Sequence, residues 1–201
     1  MTNFLKMREN MILSQFLPGL IKKDDIINIF SKTSREDFLP DKFKPLAYSD
    51  TNIKVNKNRF LISPFNFAKI LQVSNITKKD VVLLIGSGTG YEASILSQIS
   101  ATVISLEEDK NFFNLAEQNI KNLDVDNIIN VYGSFKVGFA KHAPYDYIII
   151  LGCFDFLNNA LFNQLANGGK LLVCERISSD IKESKLYVYS KSKNECVKRE
   201  L

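Results

Sequence analysis

The sequence predicts an α/β fold in which a doubly wound, mostly parallel sheet follows an N-terminal helical cap. Apolar runs alternate with helical stretches from Asp80 onward, and this alternation is typical of parallel sheets. The strongest run, 81–85, is continuously apolar, as expected of a strand buried on both faces. Further strands are predicted over 102–106, 128–132, 145–151, 170–174 and 186–189, with helices over 91–99, 109–122 and 156–165 and a turn at 168–169.

The first third of the chain has a different pattern, with short helices separated by turn residues. Pro64 suits a first helical position, and Ser63 before it is a candidate helix cap. Helices are predicted over 4–17, 24–30 and 64–73, and an ordered loop with short extended pieces over 33–60.

The charge of the chain changes sign near residue 80, which marks a domain boundary. Residues 1–80 carry 14 Lys and Arg against 8 Asp and Glu, whereas residues 81–175 carry 5 against 10. We therefore predict a helical cap over 1–79 and a ligand-binding domain over 80–201. Of the 26 cations 21 are Lys, while phosphate recognition favours Arg, so no nucleic-acid partner is predicted.

Composition excludes several classes of protein. With 201 residues, 45% of them hydrophobic and 24% charged, the chain is neither disordered nor of low complexity. Its longest apolar stretch, 147–154, is too short to span a bilayer, and no secretory signal begins the sequence. Three cysteines without a C-x-x-C pair predict neither a disulfide framework nor a metal site. We expect a cytoplasmic protein without a membrane partner.

The segment with chemical information is a glycine loop that follows the 81–85 strand. Glycines at the end of a buried strand let a ligand approach the backbone at the start of the next helix. A dinucleotide fingerprint requires a third glycine at position 91, where this chain has Tyr91. The spacing G-x-G-x-G of Gly86, Gly88 and Gly90 is instead similar to the loop that binds S-adenosylmethionine.

An acid follows the second predicted strand at the expected interval. Glu107 lies 17 residues after Gly90, close to the interval of about 20 at which an acid binds an adenosine ribose. The alternative is that Glu107, with Glu108 and Asp109, forms a solvated loop and helix cap. Because the glycine loop and the acid occur in register, we favour the ribose-binding interpretation.

The chain as a whole resembles the protein-L-isoaspartate O-methyltransferase family. The first stretch matches the pattern R-x-x-M-x-x-x-Q, and later stretches are similar to R-E-x-F-V-P and A-Y-x-D. The matching positions are Arg8, Met11 and Gln15, then 35–40, 47–50, the glycine loop, 103–107, 143–146 and 165–171.

The resemblance implies a Rossmann-like class I methyltransferase that esterifies isoaspartyl carboxylates of damaged proteins, with S-adenosylmethionine as cofactor. It also implies the residues that bind the cofactor. Those at the glycine loop are Gly86, Ser87, Gly88, Gly90 and Tyr91; Glu107 would hold the ribose, and Gly133, Ser134 and Phe135 would lie by the adenine.

Three departures from the family pattern bear on activity. In the family, a serine of a T-I-S-Q-P stretch lies beside the substrate carboxylate, but Ile62 has that position here and Ser63 follows one residue later. A local slip would make Ser63 catalytic; otherwise it only caps the helix. Leu84 replaces an acid before the glycine loop, and Ser134 replaces the aspartate of a G-D-G turn.

Other interpretations of the resemblance stay open. The chain could be a non-catalytic relative that binds the cofactor or a partner, or a methyltransferase with another acceptor. The sequence ends soon after the strand predicted at 186–189, so the closing strand of the family is expected to be short or absent.

Overall fold

The computed structural model describes residues 2–55, 59–154, 157–178, 181–193 and 195–201. They form two compact units, Met1–Asn75 and Ile76–Leu201. The boundary lies four residues before the one expected from the charge pattern, and the assignment of the units as cap and ligand-binding domain stays a prediction.

The first unit is built on three helices with an aromatic core. The helices are α1 (Phe4–Met11), α2 (Asp24–Lys32) and α3 (Pro64–Ser74). Phe16 and Phe30 are fully buried, with their rings edge to face at 5.1 Å between centroids. The predicted helix over 4–17 is only partly α-helical, because Ile12–Phe16 continues α1 as a π-helical turn.

The loop predicted over 33–60 contains short ordered pieces. Two 3₁₀ segments, Arg35–Phe38 and Asp41–Leu46, precede a small antiparallel ribbon. In that ribbon β1 (Ile53–Lys54) pairs with β2 (Phe60–Leu61). The ribbon brings the chain to the start of α3.

The second unit contains a seven-stranded sheet in the order β5-β4-β3-β6-β7-β8-β9. Its first five members are parallel, and β8 and β9 are antiparallel. The strands are β3 (Val81–Ile85), β4 (Thr102–Glu107), β5 (Ile128–Tyr132), β6 (Tyr145–Phe154), β7 (Leu165–Ser178), β8 (Ile181–Ser192) and β9 (Glu195–Glu200). The helices are α4 (Tyr91–Ser97), α5 (Lys110–Lys121) and α6 (Asn159–Asn163).

This strand order places the glycine loop at a switch point of the sheet. From β3 the chain first adds β4 and β5 on one side and later β6 and β7 on the other. Ligands of open α/β sheets bind where the direction of winding reverses, at the carboxyl ends of the strands. Asp146 fixes the beginning of β3, since its carboxylate accepts from the Val81 N–H at 2.8 Å.

One prediction at the C-terminal end of the chain was wrong. Gly168 and Gly169 do not form a turn before a strand but lie within β7, at a register irregularity opposite Tyr145. A Cβ on Gly169 would lie 2.9 Å from the Tyr145 carbonyl oxygen, so the chain folds tightly there. The closing strand, expected to be short or absent, is present and short: β9 has six residues, half the length of β8, and pairs with it.

One further boundary differs from the sequence prediction. The helix predicted over 156–165 is present as α6, which begins at Asn159, because the Asn158 side chain caps it by accepting from the Ala160 N–H. The predicted start at Phe156 lies outside the described residues.

Candidate cofactor site

The glycine loop is held against β4 by backbone hydrogen bonds. The N–H groups of Gly86 and Ser87 both donate to the Leu106 carbonyl, at 2.9 and 3.4 Å. Gly90 N–H donates back to the Ser87 carbonyl at 3.1 Å, which closes a tight turn. The loop therefore leaves β3 and reaches the beginning of α4 in five residues, 86–90.

Gly90 needs the conformational freedom of glycine. Its φ of +89° lies in the left-handed region, and a Cβ on it would meet Ala116 and Ile120 of α5 at 3.4 Å. The spacing of these two residues places them on one face of α5. The loop thus packs directly on that helix.

Glu107 is fully buried at the end of β4 and binds the loop. Its Oε2 accepts from the Gly88 N–H at 2.7 Å, and its Oε1 accepts from the N–H groups of Glu108 and Asp109, each at 3.1 Å. Three backbone donors thus bind the two oxygens of this carboxyl group. The alternative of a solvated acidic loop does not describe Glu107, whereas Asp109 does cap α5.

The turn after β5 lies beside the same acids. Gly133 N–H donates to the Glu107 carbonyl at 3.0 Å, and Phe135 N–H donates to Glu108 Oε2 at 3.1 Å. Ser134 is exposed, and Phe135 packs against the hydrophobic core of the sheet. The structure therefore places the turn 133–135, which was predicted to lie beside the adenine, next to Glu107, which was predicted to bind the ribose.

The chemistry of these groups fits an adenosyl cofactor. The Ser87 hydroxyl is buried in the loop and has no hydrogen-bond partner among the described residues, so it is available as a donor and acceptor for a bound polar ligand. Glu107 is a carboxylate of the kind that accepts ribose hydroxyls. Tyr91, which replaces the third glycine of a dinucleotide loop, is buried at the first position of α4. Leu84 is fully buried and supplies no acid before the loop.

In the first unit, Ser63 is the cap of α3. Its Oγ accepts from the Asn66 N–H at 3.2 Å, and its own N–H donates to Asn52 Oδ1 at 2.9 Å. The Ser63 side chain is fully buried. The cap expected from the sequence is thus present, and a catalytic role of Ser63 stays a prediction.

Ile62 is held through its backbone. The buried Arg35 guanidinium donates to the Ile62 carbonyl at 2.6 Å and to the Ala47 carbonyl at 3.2 Å. The Ile62 side chain is half-buried and offers no hydrogen bond to a carboxylate. The structure therefore shows an apolar side chain at this position, on a backbone that Arg35 binds.

Tyr48 connects the N-terminal motifs that the sequence singled out. Its hydroxyl donates to the Glu36 carboxylate and accepts from the Arg35 N–H at 3.2 Å, while Gln15 Nε2 donates to its carbonyl at 2.9 Å. Arg8 also donates to the hydroxyl, at 3.4 Å. Burial and the Glu36 carboxylate raise the pKa of Tyr48 well above its ordinary value. These motif residues form the polar core of the unit.

Comparison with known proteins decides the family. The model of the Protein-L-isoaspartate(D-aspartate) O-methyltransferase family matches residues 6–200. A relative from Koribacter versatilis (strain Ellin345), named Protein-L-isoaspartate O-methyltransferase, is 30% identical over 86% of this chain and 78% of its own length.

The chain belongs to this family.

Two solved structures confirm the predicted fold class. One, named protein-L-isoaspartate O-methyltransferase, aligns with a TM-score of 0.84 and 24% identity over 96% of this chain and 63% of its own chain. The other is a Plasmodium falciparum protein described as a putative protein-L-isoaspartate O-methyltransferase in complex with S-adenosyl-L-homocysteine. It aligns with a TM-score of 0.76 and 22% identity over 100% of this chain and 95% of its own.

Membership of the protein-L-isoaspartate O-methyltransferase family confirms the predicted class of enzyme and cofactor. The chain is a methyltransferase of the S-adenosylmethionine-dependent class. Two further observations concern what the described residues lack. No helix among the described residues is long and apolar enough to cross a membrane, and the same residues contain no group of three or more candidate metal ligands.

Sequence reasoning missed two groups that hold the methyltransferase loops. Asn119 of α5 donates to the Thr89 carbonyl at 2.9 Å, and Glu108 binds the Phe135 backbone. The signal for Asn119 in the sequence was its position, because it lies three residues after Ala116 on a face of the helix that should be apolar. Glu108 had no distinguishing signal, because it lies among three consecutive acids.

Proposed function

We propose that this protein transfers a methyl group from S-adenosylmethionine to the isoaspartyl carboxylates of damaged proteins in the cytoplasm, as a repair step. We include no nucleic acid and no membrane among its partners. The observation that carries the proposal is the buried Glu107 carboxylate, which binds the glycine loop at Gly88 at the switch point of the sheet. We infer the reaction itself from membership of the family.

The cofactor supplies a methyl group on a positively charged sulfur, which a carboxylate oxygen can attack in line. We assign its contacts to the loop residues Gly86, Ser87, Gly88, Gly90 and Tyr91, to Glu107, and to the turn Gly133, Ser134 and Phe135. Ser87 would hydrogen-bond the bound cofactor through its buried hydroxyl, and Glu107 would accept from the ribose. Ser134 offers a hydroxyl where the family has an aspartate.

The reaction needs little acid–base chemistry from the protein. An aspartyl-type carboxyl has a pKa of about 4, so the nucleophile is already ionised at neutral pH. Attack forms the ester C–O bond as the C–S bond breaks, and S-adenosylhomocysteine leaves. The protein's contribution is to hold the carboxylate in line with the methyl group, and such positioning accounts for much of the rate in reactions of this kind.

A second candidate function rests on the substrate side. Ile62 offers no hydrogen bond to a carboxylate, and Ser63 is occupied as a helix cap. An anion placed there without a partner is costly. A relative that binds the cofactor without acting on isoaspartyl residues, or that methylates another acceptor, would retain the geometry around Glu107.

Two measurements test these functions. Calorimetry with S-adenosylmethionine and S-adenosylhomocysteine tests the cofactor site, and absence of heat with folded protein at high micromolar cofactor would contradict it. Labelled cofactor is then incubated with an isoaspartyl peptide and its aspartyl twin. Label on the isoaspartyl peptide alone supports repair. Binding without transfer supports the non-catalytic relative.

A further inference from the structure

We propose that Asn119 is a positioning residue, which fixes the glycine loop in its binding conformation before the cofactor arrives. The inference rests on the proposed cofactor site. Asn119 Nδ2 donates to the Thr89 carbonyl at 2.9 Å, thirty residues away in sequence, and this links α5 to the middle of the loop.

The loop has an unusual need for such a link. Gly86, Gly88 and Gly90 all have positive φ angles, of +83°, +57° and +89°. Glycine loses more conformational freedom on ordering than any other residue, so a loop with three glycines is costly to fix. Each external hydrogen bond that holds the loop in the free protein reduces the ordering that a ligand must later impose.

The bonds around the loop divide this task between two elements. From β4, the Leu106 carbonyl and the Glu107 carboxylate hold the N–H groups of Gly86, Ser87 and Gly88. The second half of the loop is contacted by a different element. There α5 contributes, through the Asn119 amide on Thr89 and through Ala116 against Gly90.

The chemistry of the contact favours an amide at position 119. A carbonyl oxygen needs a donor, and asparagine supplies one without introducing a charge. Asparagine is a poor residue for a helix interior, and α5 carries it on the face with Ala116 and Ile120. Without the donor, the Thr89 peptide would be free to rotate between its two flanking glycines.

The test uses the full chain and two variants that remove the donor, Asn119→Ala and the near-isosteric Asn119→Asp. We expect the Kd for S-adenosylhomocysteine, measured by calorimetry, to rise about tenfold. The KM for an isoaspartyl peptide at saturating cofactor should stay unchanged. The matched control is Asn114→Ala, which alters an exposed asparagine of the same helix and should leave both constants unchanged.

Hydrogen exchange of the free protein gives a readout that does not depend on the cofactor. The amides of 86–90 should exchange faster in both Asn119 variants, while those of β3 and β4 stay protected. Unchanged loop exchange, or faster exchange spread over the whole unit together with a lower Tm, would overturn the positioning role. If the wild type binds no cofactor, the proposed function fails, and the exchange experiment still decides whether Asn119 holds the loop.

Discussion

Gly88 donates its backbone N–H to Glu107 Oε2 at 2.7 Å, so the glycine loop and the acid after the second strand of the parallel sheet are bonded to each other. We therefore assign Glu107 two roles at the cofactor site. It braces the loop in the free protein, and we propose that it accepts the ribose when the cofactor binds. Substitution of Glu107 should weaken cofactor binding through the loss of both roles.

We expect Glu107→Gln to lower the affinity for S-adenosylhomocysteine by about 10- to 150-fold, because a hydrogen bond to a charged group contributes about 1.5–3 kcal/mol. The amide also places a donor where backbone donors already point. Calorimetry measures the change, and Glu9→Gln, at an exposed acid of α1, is the control. Unchanged affinity would show that Glu107 has only a structural role and does not bind the cofactor.

Replacing Ile62 by serine should raise activity on isoaspartyl peptides. A hydroxyl at this position would hydrogen-bond the substrate carboxylate, and a gain of about 1.4 kcal/mol corresponds to a tenfold higher kcat/KM. The apolar control Ile62→Val should leave kcat/KM near that of the wild type. A serine variant no more active than the valine variant would argue against position 62 as a substrate contact.

Ser63 offers a comparison that separates capping from catalysis. Ser63→Ala should lower the free energy of unfolding by about 1 kcal/mol, and Ser63→Gly by only a few tenths, because glycine is tolerated at helix N-caps. Denaturant unfolding measures this difference. If the hydroxyl acts on the substrate, both variants lose activity equally, whereas with capping alone the glycine variant keeps it.

Because the phenol of Tyr145 is buried, we expect the protein to lose stability at high pH. Burial raises the pKa of the Tyr145 phenol to about 12, and its hydroxyl donates to the Phe139 carbonyl. Above pH 10 the unfolded chain releases this proton while the folded chain retains it. The free energy of unfolding should therefore fall as the pH rises from about 10 to 12.

The variant Tyr145→Phe should have a flatter dependence of the free energy of unfolding on pH over this interval, measured by denaturant titration. The control Tyr132→Phe removes a phenol that is 53% exposed and should follow the wild type. An equal slope in all three proteins would exclude Tyr145 as the source.

The sequence by itself determined the family, the fold class and most of the secondary structure in the parallel half of the sheet. The strands 81–85 and 128–132 are observed with their predicted bounds. For 81–85 the reason is that a buried strand is a continuous apolar run, which can be recognised without knowledge of its partners. The spacing also identified Glu107 and the glycine loop as candidate residues of one site, although it did not predict the hydrogen bond between them. Its role in ligand binding stays a prediction.

Only the tertiary structure decided how the loop is held and where irregular pairing occurs. The bond from Asn119 to Thr89 joins residues thirty positions apart, and the glycines at 168–169 lie within β7 because β6 pairs beyond them. Local patterns report what one segment prefers. Hydrogen bonds between distant segments depend on the packing of the whole unit, and a single sequence carries no local signal for them.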